Sequence, residues 1–449
     1  MDTTSQNVAV IVLAAGKGTR MRSDRAKVLH EIAGQPMLHH ALRTALTLQP
    51  ERIAVVVGHD GQAVGTSARQ IAPAAVICQQ SEQLGTGHAV KMARDTMEGF
   101  DGQLIVLYGD TPFIRVETLA RLRAHPQAIT ALGFETDEPG RYGRLILNGH
   151  DLQAIVEAKD ASTQQLAVRT CNSGVMAGPS ARMFELLDDL GNDNAQGEYY
   201  LTDLVALGRA AGVETRAILC DQAETLGIND RVELAEAEAR LQASARIAAM
   251  QGGATLIAPE TVHFAWDTQL GQDVVVEPNV IFGPGVQVAD GARIRAFSHL
   301  EGAKVGPGCI VGPYARLRPG TMLEPDARIG NFVELKNAYM GAGAKANHLT
   351  YIGDASVGAG SNLGAGTITC NYDGFDKHST EIGENAFVGV NTALIAPVTV
   401  GDRAYIATGT VVTRDIPEGD LAIGRTRQEN KPGFGDKLRE QLARKKSKK

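Results

Sequence analysis

The stretch VEPNVIFGPGVQVADGARIRAFSHL, residues 276–300, has an apolar residue at every sixth position. A helix would repeat its apolar residues at intervals of three and four, and a half-buried strand at intervals of two, so a period of six fits neither. The period is typical of a parallel β-helix, in which each hexapeptide forms one side of a triangular coil and points its apolar residue inward. We therefore predict an all-β solenoid of hexapeptide repeats in this part of the chain.

The same period continues to residue 412, with one slip of phase after residue 300 and an interruption before residue 382. Small residues often follow four positions after the apolar ones, where a corner of the coil leaves little room. Three hexapeptides per coil predict roughly eight stacked coils. The apolar positions are Val276, Phe282, Val288, Ile294, Leu300, Val305, Val311, Leu317, Leu323, Ile329, Leu335, Ile382, Val388, Leu394, Val400, Ile406 and Val412, and the small ones are Ala292, Ala327, Ala386, Thr392, Ala404 and Thr410.

The N-terminal half has a different texture. Apolar runs, each suited to a strand that is buried on both faces, are interspersed with helical patterns. This succession predicts a doubly wound, Rossmann-like α/β domain, whose ligands lie at the carboxyl ends of its strands. The apolar runs are 8–15, 53–57, 75–78 and 104–108, and the helical patterns are 36–48 and 87–97.

Residues 231–252 contain no Gly or Pro before Gly252, which predicts a linker helix of about 20 residues. Asn229-Asp230 can cap its start, and Gly252-Gly253 can end it. We place one domain at 1–230 and the solenoid domain at 253–435, although the linker also suits the last helix of the first domain. Residues 436–449 are charged and lysine-rich, which predicts a disordered tail, with a role in covering a neighbouring subunit's site as the alternative.

The bulk composition narrows the class of protein. A net charge of −7 and a pI near 5.9 argue against a nucleic-acid binder. The segment 1–7 has no positively charged start and no apolar run is long enough to cross a bilayer, so neither a signal peptide nor a membrane span is expected. An odd number of scattered cysteines without a CxxC pair fits a reduced cytoplasm and neither a disulfide framework nor a zinc site. These are Cys78, Cys171, Cys220, Cys309 and Cys370.

The first apolar run leads into Gly16-Lys17-Gly18-Thr19-Arg20-Met21. Glycines let the backbone approach phosphates, and Arg20 and Lys27 add positive charge. The segment lacks the third glycine of a dinucleotide-binding fingerprint, so it does not predict an NAD site.

The longer string 13–21, with Lys27, resembles the signature of sugar-nucleotide pyrophosphorylases. Further segments extend the resemblance over about residues 8–231, where it is closest to the uridylyltransferase half of the bifunctional GlmU family. These segments are Gln80 with QLGTGHA (83–89), YGD (108–110), YGR (142–144), IVEAKD (155–160), NSG (172–174) and Asn229.

This resemblance implies a site for UTP and an amino-sugar 1-phosphate. Arg20 and Lys27 would be catalytic cations that screen the phosphates, and Asp110 and Asn229 would be the two protein ligands of Mg²⁺. The residues that the resemblance implies for binding UDP-N-acetylglucosamine are Ala14, Ala15, Gly16, Lys27, Gln80, Gly85, Thr86, Tyr108, Gly109, Asp110, Gly143, Glu157, Asn172 and Asn229.

Chemistry-bearing residues also interrupt the solenoid. Arg318 and Lys336 are separated by three hexapeptides, one predicted coil, and should stack on one face. His348 breaks the apolar rhythm, and residues 370–380 suggest a loop over the prism that ends near Lys377. A histidine suits the removal of a proton from an amine near neutral pH.

The repeats resemble left-handed β-helix acyltransferases, which implies a left-handed parallel β-helix. These features resemble the acetyltransferase half of the same family, which implies that His348 is the base and that the protein is a homotrimer. Val390 and Thr408 depart from that half, where Ser and Ala often stand. By resemblance, glucosamine 1-phosphate binds Arg318, Lys336, Tyr351, Asn362, Tyr372 and Lys377, and acetyl-CoA binds Ala365, Asn371, Tyr372, Val390, Thr408 and Arg425.

The resemblance therefore implies a cytoplasmic, bifunctional enzyme that makes UDP-N-acetylglucosamine, a precursor of peptidoglycan and lipopolysaccharide. Glucosamine 1-phosphate would first be acetylated from acetyl-CoA and then uridylylated from UTP with release of pyrophosphate. Two alternatives remain open: the same fold with another hexose 1-phosphate or with dTTP, and a scaffold subunit without catalysis. The charged residues of both candidate sites argue against the scaffold.

Overall fold

The apolar run after residue 7 forms a fully buried strand, β1 (Val8–Ala14), in the interior of the first sheet. A computed structural model describes residues 7–58 and 60–447. Most of the segment examined for a signal peptide, and the last two residues of the predicted tail, lie outside the described residues. Internal contacts divide the chain into two units, Met1–Leu241 and Gln242–Lys449.

The first unit contains a nine-stranded mixed sheet in the order β5-β4-β1-β6-β10-β7-β11-β9-β8. The strands β2 and β3 form a separate two-stranded antiparallel sheet. The strands of the unit are β1 Val8–Ala14, β2 Glu31–Ile32, β3 Gln35–Pro36, β4 Arg52–Val57, β5 Val76–Gln79, β6 Gln103–Tyr108, β7 Ile129–Glu135, β8 Arg144–Asn148, β9 Asp151–Val156, β10 Thr170–Pro179 and β11 Thr215–Cys220. Its helices are α1 Met37–Leu46, α2 Gly61–Ile71, α3 Thr86–Lys91, α4 Arg94–Met97, α5 Val116–Arg123, α6 Thr163–Leu166, α7 Ser180–Asp188 and α8 Leu204–Ala210.

The predicted α/β domain is confirmed, and its four apolar runs form the parallel strands β5, β4, β1 and β6. The sheet is not parallel throughout, because β10 runs antiparallel to both β6 and β7. The single helix expected at 87–97 is wrong: the structure has α3 and α4 with a break between them. Ala93 is fully buried at this break, so the apolar period continued through it and concealed it.

Helix α9 spans Arg231–Gln251, at the place predicted for the linker. Its start is capped by Asp230, whose Oδ1 accepts the backbone N–H groups of Val232 and Glu233 at 2.9 and 3.0 Å. The boundary between the two contact units falls inside this helix, after Leu241.

The second unit is a parallel β-helix whose 22 described strands belong to one coiled sheet, in which strands pair with those of the next coil. They are β12 Thr255–Leu256, β13 Gln269–Leu270, β14 Val275–Val276, β15 Ile281–Phe282, β16 Gln287–Val288, β17 Arg293–Ile294, β18 His299–Leu300, β19 Ala303–Val305, β20 Ile310–Val311, β21 Arg316–Leu317, β22 Thr321–Leu323, β23 Arg328–Met340, β24 Lys345–Val357, β25 Asn362–Leu363, β26 Ile368–Cys370, β27 Thr380–Ile382, β28 Phe387–Val388, β29 Ala393–Ile395, β30 Val398–Val400, β31 Tyr405–Ile406, β32 Val411–Val412 and β33 Leu421–Ala422.

The predicted solenoid is confirmed, and the apolar residues of the hexapeptides form its core. The small residues predicted at the corners, from Ala292 to Thr410, are buried as well. The coil length is less regular than the three full hexapeptides expected. Arg293 pairs with Ile310 but Ile310 pairs with Arg328, so the first of these coils is one residue shorter than the next.

The prediction of a disordered tail is wrong for residues 436–446, which belong to helix α10, Phe434–Lys446. Three of its cations, Arg444, Lys445 and Lys446, lie in the last turn, where they complement the helix dipole, and Arg439 and Arg444 form ion pairs within the helix. The charge run indicated an exposed segment, and α10 is exposed along its length. Within the part of the chain that the structure describes, no helix has the length and hydropathy to cross a membrane.

Two candidate active sites

The loop after β1 is shaped by Gly18. Its φ of +59° is left-handed, and a Cβ on it would lie 2.6 Å from the Cβ of Lys27. Any side chain there would be strained and would collide with Lys27. The glycine thus lets Lys27 pack against the loop.

Lys27, Asp110 and Asn229 come together although they are far apart in the sequence. The Lys27 ammonium forms an ion pair with the Asp110 carboxylate and donates to Asn229 Oδ1 at 3.2 Å. The backbone N–H of Ile228 donates to the carbonyl of Asp110 at 3.1 Å, which ties the Asn229 segment to the end of β6. A carboxylate and an amide oxygen therefore converge on one cation.

These two oxygens fit the ligands expected for Mg²⁺, which takes few protein oxygens and completes its shell with phosphate and water. Among the described residues no group of three or more His, Cys, Asp or Glu could hold a metal. Asp110 and Asn229 would therefore depend on the substrate for the remaining ligands.

A pocket of about 290 Å³ opens beside this cluster. A neighbouring pocket of about 380 Å³ shares Gly16, Gln80 and Gln83 with it. The first pocket is lined by Leu13, Ala14, Ala15, Gly16, Lys27, Val28, Gln80, Gln83, Gly85, Thr86, Ala89, Tyr108, Asp110 and Glu198. Most of the residues that the resemblance implies for binding UDP-N-acetylglucosamine are thus brought to one place.

Gln80 and Gln83 hold the rim of the pocket. Gln80 is buried, and its amide donates to the carbonyl of Gly85 at 3.2 Å and contacts His88 Nδ1 at 3.1 Å. Gln83 donates to the carbonyl of Ala15 and joins the pocket to the β1 loop. Gln83 belongs to the sequence motif at 83–89, but no role was predicted for it.

Gly143, Glu157 and Asn172 form a second polar group in this unit. A Cβ on Gly143 would lie 3.3 Å from Glu157 Oε1, and the N–H of Asn172 donates to the carbonyl of Gly143 at 2.8 Å. Burial raises the pKa of Glu157, and the hydroxyl of Thr202, which donates to Oε1 at 3.3 Å, partly opposes this rise.

The phenol of Tyr108 is affected by the charges of both groups. Burial raises its pKa, and the carboxylates of Asp110 and Glu157 raise it further. Tyr108 therefore stays neutral at any ordinary pH.

Six predicted residues do not line the pocket. Gly143, Glu157 and Asn172 belong to the second polar group and Asn229 contacts Lys27, so the other two are Arg20 and Gly109. Arg20 is exposed on the turn after β1. Gly109 lies underneath, where a Cβ would meet Leu38 and Val28 at 3.1 and 3.3 Å. The neighbour of Gly143, Arg144, is buried and donates to the carbonyls of Pro139, Gly140 and Leu166, so it holds the loop in shape.

In the second unit, His348 is exposed on β24 and its Nδ1 lies 2.7 Å from Asn331 Oδ1 on the preceding coil. An amide oxygen only accepts hydrogen bonds, so Nδ1 carries the proton and Nε2 keeps its lone pair. Asn331 therefore selects the tautomer in which Nε2 can accept a proton. Asn331 was not predicted, because it precedes His348 by 17 residues and a coil of three full hexapeptides would have placed Gly330 opposite His348.

Two of the cations predicted for the sugar phosphate, Arg318 and Lys336, have a carboxylate partner. Arg318 donates to Glu334 Oε1 at 3.0 Å, and Lys336 Nζ lies 3.8 Å from Asp354 Oδ2. The strand register aligns Leu317 with Leu335, so Arg318 and Lys336 follow at adjacent positions, as the spacing predicts.

Tyr351 pairs with Glu334 in the same ladder, one coil further. Asn362, also predicted here, begins β25 and aligns with Lys345 of β24. The loop between β26 and β27 is closed by a bridge between Tyr372 and Lys377.

Three of the residues assigned to acetyl-CoA follow one column of the solenoid. Leu363, Val388 and Ile406 align across three coils, so Ala365, Val390 and Thr408 occupy equivalent positions two residues later. The Cδ of Arg425 would lie 3.6 Å from a Cβ on Gly409. Asn371 is buried at the start of the loop.

Known proteins match both units. Residues 10–198 match the MobA-like NTP transferase domain, and residues 379–414 match the bacterial transferase hexapeptide (six repeats). The bifunctional protein GlmU of Ruegeria sp. (strain TM1040) is 60% identical, over 98% of this chain and 99% of its own length. The chain belongs to the GlmU family. The bifunctional protein GlmU of Paracoccus denitrificans (strain Pd 1222) is 54% identical over 99% of this chain and 99% of its own length.

Among solved structures, UDP-glucose pyrophosphorylase complexed with UDP-glucose aligns at 17% identity with a TM-score of 0.43, covering 53% of this chain and 99% of its own. Family membership makes the chain a bifunctional enzyme with acetyltransferase and uridylyltransferase activities.

Proposed function

We propose that the second unit acetylates glucosamine 1-phosphate from acetyl-CoA at His348, and that the first unit uses Lys27, Asp110 and Asn229 to join the product to UTP with Mg²⁺. The observation that carries this proposal is the convergence of Lys27, Asp110 and Asn229 at the mouth of a pocket. The product, UDP-N-acetylglucosamine, would serve cytoplasmic synthesis of peptidoglycan and lipopolysaccharide precursors.

Uridylyl transfer needs positioning and charge screening more than acid–base chemistry. A phosphate oxygen of N-acetylglucosamine 1-phosphate attacks the α-phosphorus of UTP, the bond to the β-phosphate breaks, and pyrophosphate leaves. The nucleophile is already an anion, so no base is required. The Lys27 ammonium screens the phosphates, Gln80, Gly85 and Thr86 border the nucleotide, and Glu157 and Asn172 hold the sugar.

Asp110 and Asn229 are the residues that would hold Mg²⁺. When bound, the ion supplies positive charge that offsets the repulsion between the two phosphate groups. With the metal there, the Lys27 ammonium would turn from the Asp110 carboxylate toward the substrate phosphates.

Acetyl transfer begins with His348. Its Nε2 accepts a proton from the amine of glucosamine 1-phosphate, and the amine nitrogen attacks the thioester carbonyl of acetyl-CoA. The C–S bond then breaks and the CoA thiolate leaves. Arg318 and Lys336 bind the phosphate, which holds the amine in reach of the base.

An exposed aromatic ladder supports a homotrimer. Phe297 stacks on Tyr314 at 4.9 Å, and Tyr314 stacks on Phe332 at 5.2 Å, with Leu349 at the next coil. All four side chains are exposed. A contiguous apolar surface of this kind marks an interaction site, and its end lies beside His348.

Two single variants test the division of labour. His348→Ala is expected to lower acetyl transfer at least about 10²-fold, the contribution of a general base, and to leave uridylyl transfer unchanged. Asp110→Asn is expected to do the reverse, since it removes the carboxylate charge and keeps the shape. His299→Ala and Asp101→Asn, at exposed positions of the same units, are the matched controls. Equal loss of both activities in either variant would contradict the proposal.

A further inference from the structure

One corner of the β-helix carries a polar ladder. Gly320, Asn337, Asp354 and Asn371 follow each other at a constant spacing, one per coil. Gly320, Asn337 and Asp354 have left-handed φ values of +84°, +47° and +48°. Gly, Asn and Asp tolerate this backbone best, so tolerance of the corner would by itself account for an aspartate at position 354.

The contacts of Asp354 go beyond the needs of a corner. Its Oδ1 accepts a hydrogen bond from Asn337 Nδ2 at 2.9 Å, and its Oδ2 accepts one from Asn371 Nδ2 at 2.5 Å. Lys336 Nζ lies 3.8 Å from the same Oδ2. The side chain of Asp354 is only 15% exposed and that of Lys336 only 21%. One carboxylate thus contacts a residue assigned to the sugar phosphate and a residue assigned to acetyl-CoA.

We propose that Asp354 is a positioning residue that fixes Lys336 and Asn371 with one carboxylate and so couples the sugar-phosphate side of the acetyltransferase site to its acetyl-CoA side. The inference rests on the proposed function, because the roles of Lys336 and Asn371 come from it. Asp354 itself touches neither substrate in this account.

The charges around Asp354 are consistent with this role. Burial raises its pKa, but hydrogen bonds from Asn337 and Asn371 and the charges of Lys336 and Lys377 outweigh burial, so the pKa is lower than usual. Lys336 in turn lowers the pKa of Lys377, and Asp354 acts against that effect. The carboxylate therefore offsets the repulsion between two lysines that would grip one phosphate.

The variant Asp354→Asn distinguishes the effect of lost positioning on KM from the effect of the lost negative charge. Removing a negative charge would by itself strengthen the binding of a phosphate, so a rise in KM reports lost positioning. We expect KM to rise about tenfold for both glucosamine 1-phosphate and acetyl-CoA, the effect of one hydrogen bond to a charged group, with kcat within about twofold. Asparagine keeps the left-handed corner, and Asp354→Gly is a second variant that this backbone also accepts.

The matched control is Asp326→Asn, an exposed aspartate at another left-handed corner with a φ of +61°. Thermal unfolding of all variants checks that the solenoid is intact. In a double-mutant cycle, Asn371→Ala is expected to change the KM for acetyl-CoA much less when Asp354→Asn is already present.

Each outcome decides between the inference and the proposed function. If the unmodified protein acetylates glucosamine 1-phosphate but Asp354→Asn and Asp354→Gly behave like Asp326→Asn, the inference alone is overturned. A KM that changes for one substrate only, or additive effects in the cycle, would also overturn it. If the unmodified protein transfers no acetyl group, the proposed function fails and the inference fails with it.

Discussion

At the scale of a residue, Glu157 shows that a candidate binding residue can lower the stability of the folded protein at neutral pH. Burial is the main cause of its raised pKa, and the nearby carboxylates of Asp160 and Asp203 add to the shift. The folded protein therefore binds this proton more tightly than the unfolded chain does. The stability that Glu157 contributes is complete below its ordinary pKa of 4.5 and is lost as the pH rises through the folded pKa.

Glu157→Gln is therefore expected to unfold at a higher temperature than the unmodified protein at pH 7, because glutamine cannot ionise and can still accept from Thr202. The difference is expected to shrink as the pH is lowered below 4.5. The same variant is expected to raise the KM for N-acetylglucosamine 1-phosphate about tenfold. Calorimetry at pH 7 and below pH 4.5 measures the difference in unfolding temperature. Glu51→Gln, at an exposed site, is the control. An unfolding difference that does not depend on pH would contradict the assignment.

At the scale of an element, the corners of the β-helix are limited by space. Ala327 is fully buried beside the coil axis, and its neighbour Arg328 is exposed. Ala327→Leu is expected to lower the free energy of unfolding by about 1–3 kcal/mol through overpacking. Arg328→Leu, one residue away, is expected to change it by less than about 0.5 kcal/mol. Denaturant unfolding of the pair measures both, and equal effects would mean that the corner is not tightly packed.

The same elements show what the sequence could predict. Period-six patterning indicated the solenoid because one apolar residue of nearly every hexapeptide packs into the common core. The break between α3 and α4 was not predictable, since Ala93 is as buried as a residue in a continuous helix. Pairings across coils, such as Asn331 with His348, depend on coils that are one residue shorter than the three hexapeptides the pattern suggested. The antiparallel strand β10 carries no signal of its direction.

At the scale of the whole molecule, the aromatic ladder of the second unit predicts self-association. Sedimentation velocity is expected to give three times the chain mass of 47.6 kDa. Replacing Phe297, Tyr314 and Phe332 together by serine is expected to yield monomers, because it removes the stacked apolar surface. A monomeric unmodified protein, or a triple variant that still forms trimers, would contradict the role of the ladder.

The central claim, that one chain runs both half-reactions in order, is tested most directly by mass spectrometry of products. Purified protein is incubated with glucosamine 1-phosphate, acetyl-CoA, UTP and Mg²⁺, and then with each component left out. We predict UDP-N-acetylglucosamine only in the complete mixture, and N-acetylglucosamine 1-phosphate alone when UTP is omitted. UDP-glucosamine in the absence of acetyl-CoA would contradict the order of the steps, and the absence of any acetylated sugar from the complete mixture would contradict the assignment of the β-helix.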